Sequence, residues 1–113
     1  MKQELRDPFE ALADPTRRSI LELLRDRGEC PAGEIAQRFP QISRPAVSRH
    51  LRVLRECGIV TAEEAGREWR YRLAPEGLAR AYRNWFERFA PVWEASLQRL
   101  KELVESEEED RDG

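Results

Sequence analysis

Residues 44–60 read RPAVSRHLRVLRECGIV, and this stretch decides the fold. Ser43 stands directly before it as a residue whose hydroxyl can cap a helix, and Pro45 suits the first helical turn. Gly58 supplies the left-handed conformation that commonly ends a helix. We therefore predict one helix that begins after Ser43 and ends at about Cys57.

The two sides of this helix differ in chemistry. Val47, Leu51 and Leu54 recur at spacings of four and three residues, so they form one apolar stripe. The opposite side carries arginines, among them Arg49 and Arg52. Exposed arginines on an arbitrary helix are usually solvated charge without a ligand. Whether these arginines form a binding surface therefore has to be judged from the neighbouring elements.

Three shorter helices are expected ahead of residue 43. An aspartate followed by a proline starts each of the first two, because the carboxylate caps the helix and the proline suits its first turn. The expected spans are 8–13, 15–27 and 31–39. A short helix, a brief turn and a capped helix with outward arginines then form a helix–turn–helix.

A β-hairpin is expected after this pair, over residues 59–73. The sequence becomes β-branched at Ile59, and Gly66 supplies a turn between two segments of alternating character. Strand alternation places three side chains on the core side and three on the outer side. The core side holds Trp69, Tyr71 and Leu73, and the outer side holds Glu68, Arg70 and Arg72.

The helical period returns at Pro75 and continues to about Ser106. One unbroken helix of that length would extend about 48 Å, which exceeds the diameter of a compact monomer of this size. Pro91 is expected to kink or divide it into spans 75–90 and 91–106. One small core cannot cover all the apolar residues of this segment, so we expect a symmetric dimer to cover part of them. The residues assigned to this dimer surface are Phe9, Leu12, Phe86, Phe89, Trp93, Leu97 and Leu100.

The chain has 113 residues, the size of one domain, to which we assign residues 1–107. Residues 108–113 form an acidic tail that we expect to be disordered. The 22 acidic and 20 basic side chains give a net charge of −2, yet residues 43–72 carry +3 and residues 101–113 carry −5. Such local asymmetry allows a protein of ordinary net charge to bind a polyanion.

Several protein classes are disfavoured by the sequence. Two cysteines are too few for a disulfide framework. No apolar run approaches the roughly 20 residues of a membrane helix, and the start MKQELRDPFE is too charged for a signal peptide. No nucleophile and base at credible spacing, Gly-rich phosphate loop or evident carboxylate pair indicates an enzyme. We therefore expect a cytoplasmic protein that neither enters a membrane nor catalyses a reaction.

The order of these elements, with PTRRSILELL at 15–24 and AVSRHLRVLRECGIV at 46–60, resembles the winged helix–turn–helix regulators of the ArsR/SmtB type. The resemblance covers residues 8–105. It implies a mainly α fold with one small β-hairpin, in the order α-α-α-α-β-β-α, and a symmetric dimer. The helix at 43–57 would be the recognition helix, and residues 59–73 would be the wing. The residues that would face DNA are Ser43, Arg44, Pro45, Ser48, Arg49 and Arg52, with Arg67 and either Arg70 or Arg72 in the wing.

The sequence departs from the metal-sensing members of that family. Those members carry a cluster that resembles Cys-Val-Cys at the start of the third helix, or Asp/His and His/Glu pairs on the last helix. Here residues 30–35 read CPAGEI, and the last helix has no histidine because His50 is the chain's only one. We therefore expect no metal and no cofactor. Cys30 is interpreted as a cap of the third helix, and a disulfide between it and Cys57 is not expected.

The leading hypothesis is a sequence-specific DNA-binding transcriptional regulator, a dimeric repressor that binds an inverted-repeat operator. The alternative is a protein-interaction module that kept the winged-helix body and holds a partner on its aromatic C-terminal surface. Replacing Arg49 and Arg52 distinguishes the two, since only the first hypothesis needs these side chains for binding. The sequence does not identify the operator, nor any inducer or partner protein.

Overall fold

The computed structural model describes residues 7–112, with side chains through residue 109. Six helices and three strands follow one another within this range. In chain order they are α1 (Pro8–Ala11), α2 (Pro15–Arg27), β1 (Cys30–Pro31), α3 (Ala32–Gln37), α4 (Arg44–Glu56), β2 (Val60–Ala65), β3 (Glu68–Leu73), α5 (Pro75–Glu87) and α6 (Ala90–Asp112). The predicted fold class, mainly helical with a small antiparallel hairpin, is confirmed.

The N-caps predicted for the first, second and fourth helices are present. The side chains of Asp7, Asp14 and Ser43 accept hydrogen bonds from backbone N–H groups in the first turns of α1, α2 and α4, at 3.0, 3.0 and 3.2 Å. Each occupies an extended backbone conformation just ahead of its helix. These caps satisfy donors that a helix start otherwise leaves without partners, and so they fix where each helix begins.

The sheet has three strands in the order β1-β3-β2, all antiparallel. The hairpin of β2 and β3 turns at Gly66, whose φ of 68° is the left-handed conformation that this turn requires. The third strand, β1, pairs Cys30 with Tyr71 and Pro31 with Arg70. The sequence did not predict β1, because a two-residue strand is too short to show alternation and Pro31 is tolerated only at a sheet edge.

The core of the first part of the chain lies between α2, α3, α4 and the sheet. The predicted apolar stripe of α4 is buried, since Val47 and Leu51 are 2% exposed and Leu54 is 0% exposed. Ile20 on α2 and Ile35 on α3 are also fully buried in this cluster. The helix–turn–helix is therefore held by side chains from both of its helices and from the helix ahead of it.

One expectation about the hairpin is wrong. Tyr71 and Leu73 pack against the core as predicted, but Trp69 is 42% exposed. Alternation does place Trp69 on the inner side, yet it lies one residue from the hairpin turn, opposite Glu64. The core cluster does not extend that far along the strand, and the indole lies beside the guanidinium of Arg55 instead.

The described residues divide into two compact units, one that ends at Tyr82 and one that begins at Arg83. In the second unit α5 ends at Glu87 and α6 begins at Ala90. Pro91 is therefore the second residue of α6 and not its first, as the expected span 91–106 had it. A proline needs no N–H partner in a first turn, which explains why the break precedes it. Trp93 Nε1 donates to the carbonyl oxygen of Phe86 at 2.6 Å, which satisfies an acceptor near the end of α5.

The last helix also ends later than expected. It continues to Asp112, through most of the 108–113 segment that the sequence analysis treated as a disordered tail. Glutamate has a favourable intrinsic helix propensity, so the run at 107–109 is compatible with a continued helix. Within residues 7–112, no helix is long and apolar enough to cross a membrane.

Candidate nucleic-acid interface

The exposed side of α4 is the centre of the candidate interface. We call it the basic face and define it as Ser43, Arg44, Pro45, Ser48, Arg49 and Arg52, all of which are exposed. The apolar stripe on the other side of the helix fixes this orientation, because burying that stripe leaves the arginines no direction except outward. All six residues predicted on this helix and at its cap are therefore accessible to a ligand, and their contact with DNA stays a prediction.

The arginines of the basic face form no ion pair among the described residues, and Glu56 is the acidic residue on their side of α4. The N-terminus of α4 adds the partial positive charge of the helix dipole to the same end. A cationic surface of this kind attracts a polyanion within a Debye length of about 8 Å.

The wing contributes one further free cation at its tip. Arg67 follows Gly66 in the turn and is exposed, and it forms no ion pair with any residue of the part that the structure describes. A flexible guanidinium at a hairpin tip has the reach to contact a phosphate or the minor groove of a duplex.

The other two wing arginines are placed differently from Arg67. The carboxylate of Glu29 contacts both of them: Oε1 lies 3.7 Å from Arg70 Nη1, and Oε2 lies 3.2 Å from Arg72 Nη2. Arg72 Nη2 also lies 3.6 Å from Glu63 Oε1. Of the nine predicted contact residues, seven form no ion pair among the described residues, and Arg70 and Arg72 face carboxylates.

Glu29 was missed by the sequence analysis. It stands between Gly28, which ends α2 with a φ of 82°, and the short strand β1. No local pattern marks it, because its partners lie 41 and 43 residues further along the chain. Only the pairing of β1 with β3 brings this carboxylate to the arginines.

A second cluster that the sequence did not reveal connects α1, α2 and α4. Arg17 Nε donates to the carbonyl oxygen of Ala11 at 2.8 Å, and Arg17 Nη1 lies 3.2 Å from Nδ1 of His50. A guanidinium only donates, so Nδ1 of His50 accepts from Arg17 when the ring is neutral with its proton on Nε2. His50 therefore helps to fix α4 against α2 and lies outside the basic face.

Asp14 completes this cluster as the cap of α2. The hydrogen bond from the backbone N–H of Arg17 lowers the pKa of its carboxyl, and the charges of His50 and Arg17 act in the same direction. Burial opposes them. The net effect favours the ionised carboxylate, so the cap is strongest at neutral pH.

The residues assigned to a dimer surface occupy two environments. Phe86 and Trp93 are half-buried and stack on each other within their own unit, with ring centroids 4.3 Å apart. Phe89, Leu97 and Leu100 are exposed, at 42%, 60% and 56%. In the first unit, Phe9 and Leu12 are half-buried, and Leu12 packs against the core. The exposed members are thus the ones left available to a partner.

The cysteines occupy buried positions. Neither Cys30 nor Cys57 is in a disulfide, and burial raises the pKa of the Cys30 thiol. Cys30 lies in β1 and does not cap α3, because Pro31 holds the N-cap position. Among the described residues, no group of three or more His, Cys, Asp or Glu side chains has an arrangement that would bind a metal.

Several known proteins are similar to this chain in sequence and in fold. A family model described as a helix-turn-helix domain matches residues 12–63. The HTH-type transcriptional regulator Rv2034 of Mycobacterium tuberculosis is 43% identical over 102 residues, 90% of each chain. The transcriptional repressor SdpR of Bacillus subtilis is 38% identical over 81 residues, 72% of this chain and 87% of its own.

A solved structure supports the same grouping. An ArsR-like transcriptional regulator from Rhodococcus sp. RHA1 superposes with a TM-score of 0.65 at 37% identity, covering 88% of this chain and 91% of that one. These relatives are regulators and not enzymes. On this sequence similarity and shared winged fold, the chain belongs to the ArsR/SmtB family of helix-turn-helix transcriptional regulators.

Proposed function

We propose that the protein is a repressor that binds a specific inverted-repeat operator as a homodimer, through α4 with its cap (43–57) and the wing (59–73). The observation that carries the proposal is the set of guanidinium groups at Arg44, Arg49 and Arg52. Arg49 and Arg52 project from the side of α4 opposite its buried stripe, and Arg44 is exposed at the first position of the helix. None of the three has a carboxylate partner among the described residues. Transcription regulation is the function of the family, and one relative is named a repressor.

The residues of the basic face have separate roles in this proposal. A recognition helix enters the major groove with its N-terminal half, where Ser48 and Arg49 meet base edges. Arginine binds the O6 and N7 atoms of guanine through two hydrogen bonds. Arg44 and Arg52, toward the edges of the helix contact, bind phosphates and set the register of the protein on the duplex.

The homodimer supplies a second copy of α4. The exposed apolar residues of α6, together with Phe89 before it, form a face of Phe89, Leu97 and Leu100 that a second copy covers. A twofold dimer presents two copies of α4, which read two half-sites about one helical turn apart. The operator is therefore expected to be an inverted repeat.

Selection of bound fragments from a random duplex pool at physiological salt tests this proposal. We expect recovery of an inverted repeat whose half-sites are separated by about 10 base pairs. The double variant Arg49→Ala/Arg52→Ala should lose the preference for that repeat. A matched control, Arg25→Ala/Arg80→Ala, removes two exposed arginines outside α4 and the wing and should retain it.

Two results would contradict the proposal. One is recovery of no common sequence, with equal affinity for the promoter of the protein's own operon and for random duplex. The other is unchanged binding by the Arg49→Ala/Arg52→Ala variant, as expected for a protein-interaction module that uses another surface.

A further inference from the structure

The carboxylate of Glu29 bridges the two wing arginines in the way that a DNA phosphate would. Each of its oxygens faces a different guanidinium, Oε1 toward Arg70 at 3.7 Å and Oε2 toward Arg72 at 3.2 Å. Carboxylates and phosphates are the two anions that the planar donor geometry of arginine binds best. The anion position between these arginines is therefore already occupied by the chain itself.

The backbone sets this arrangement. Pro31 of β1 pairs with Arg70 of β3, and Glu29 precedes β1 by one residue, directly after the left-handed Gly28 that ends α2. The carboxylate is thus attached to the sheet on the side where Arg70 and Arg72 emerge. Its side chain is 38% exposed, against 41% for Arg70 and 55% for Arg72, so water and a ligand reach all three groups.

Neutralisation by Glu29 limits the charge that the wing offers to DNA. The outer side of the hairpin carries Arg70 and Arg72 with Glu63 and Glu68, and Glu29 lies beside them, so this side has no excess of positive charge. The free cations of the candidate interface are then those of the basic face and Arg67 at the tip. Phosphate contacts dominate affinity for a duplex and carry no sequence information.

We propose that Glu29 is an affinity-determining residue that competes with DNA phosphates for Arg70 and Arg72 and thereby restrains sequence-independent binding. The inference rests on the proposed function, because it presupposes that the wing approaches a duplex. With Glu29 present, the wing contacts DNA through Arg67. With the carboxylate removed, Arg70 and Arg72 become two additional phosphate ligands.

The test compares Glu29→Gln with wild type in duplex binding over a series of salt concentrations. We expect Glu29→Gln to bind both the selected repeat and random duplex roughly threefold to thirtyfold more tightly. The slope of log K against log salt should become steeper by about 0.9 to 1.8, the contribution of one or two phosphate contacts. Glu22→Gln is the matched control, since it removes an exposed carboxylate of α2 and changes the net charge equally.

A second pair of variants shows whether the gain passes through the arginines. Arg70→Gln/Arg72→Gln should change the salt slope little when Glu29 is present, and it should abolish the gain when combined with Glu29→Gln. Thermal unfolding of each variant verifies that it is folded. A merely structural ion pair would alter the unfolding temperature but leave the salt slope unchanged.

Three outcomes overturn the inference while leaving the proposed function intact. They are equal slopes for Glu29→Gln and Glu22→Gln, weaker binding by Glu29→Gln, and a gain that persists without Arg70 and Arg72. If the wild-type protein binds no duplex even at low salt, the proposed function fails and this inference fails with it.

Discussion

The α-carbon of Gly77 lies against the carbonyl oxygen of Gly58. A Cβ built on Gly77 would be 1.7 Å from that oxygen and 2.7 Å from its carbon. Gly58 is in the left-handed turn after α4, with a φ of 77°, and Gly77 is in the first turn of α5. The backbone N–H of Ala74 donates to the carbonyl oxygen of Ile59 at 2.8 Å beside this contact. The end of α4 and the start of α5 are thus fixed together by backbone atoms.

Gly77→Ala should destabilise the protein by at least about 2 kcal/mol, because the added methyl group meets a backbone carbonyl that cannot rotate away. Gly33→Ala is the matched control. Gly33 also lies in a helix, but nothing lies within 4 Å of its Cβ position, so alanine there should stabilise the protein by about 0.5–1 kcal/mol. Urea unfolding of both variants measures the difference. Equal midpoints for Gly77→Ala and wild type would show that the contact is looser than the structure has it.

Asp14→Ala should lower the free energy of unfolding at pH 7 by about 1 kcal/mol, since it removes the cap that accepts from the Arg17 N–H at 3.0 Å. Asp26→Ala, at an exposed aspartate of the same helix that caps nothing, should leave it nearly unchanged. Chemical unfolding at pH 7 compares the two variants. A loss at Asp26 as large as that at Asp14 would mean that the cap contributes nothing of its own.

The same cap predicts a pH dependence. Because the pKa of Asp14 is lower in the folded protein than its ordinary value, its contribution is complete above that value and is lost as the pH falls through the folded pKa. The window lies below about pH 4. Asp14→Asn keeps an acceptor oxygen but no charge, so its stability should approach that of wild type as the pH falls from 5 toward 2. A constant difference over that range would contradict the lowered pKa.

Arg67→Ala should reduce the salt dependence of duplex binding by about 0.9 in the slope of log K against log salt, the share of one phosphate contact. The reason is that this tip guanidinium has no carboxylate partner among the described residues. Arg25→Ala is the control, because Asp26 already pairs with that guanidinium at 2.8 Å. Fluorescence anisotropy with a labelled duplex at several salt concentrations measures both slopes. An unaltered slope for Arg67→Ala would remove the wing tip from the interface.

The sequence predicted the elements that depend on local chemistry. The cap at Ser43, the stripe of Val47, Leu51 and Leu54, and the turn at Gly66 are each specified by neighbours within a few residues, and the structure contains all of them. The exposed arginines of α4 follow from the same stripe, because a helix with one buried side has its other side determined.

Other features depend on distant residues and were not predictable in this way. Alternation fixed the side of the hairpin on which Trp69 lies, but not the point along the strand at which the core ends. Likewise, nothing near Glu29 indicates that β1 will pair with β3 and bring its carboxylate to Arg72. Proline chemistry predicted an interruption near Pro91, while the side-chain bond from Trp93 to Phe86 emerged only from the structure.

Leu97→Glu/Leu100→Glu should convert the proposed dimer into a monomer. Both leucines are largely exposed, so two glutamates there cost the isolated chain little, while a twofold interface that buries them would have to desolvate four charges. We expect the dissociation constant of the dimer to rise by more than roughly a hundredfold. Sedimentation equilibrium measures it against the 13.2 kDa mass of one chain.

Ala95→Glu/Gln98→Glu is the control for that experiment, because it adds the same two carboxylates to α6 on the side away from the two leucines. It should remain dimeric and retain operator affinity, whereas Leu97→Glu/Leu100→Glu should lose both together, since a monomer contacts only one half-site. Circular dichroism verifies that both variants keep their helices.

If the leucine variant stayed dimeric, the second copy would have to be held by a surface other than the exposed apolar side of α6. If it became monomeric with operator affinity unchanged, the operator would not require two copies of α4.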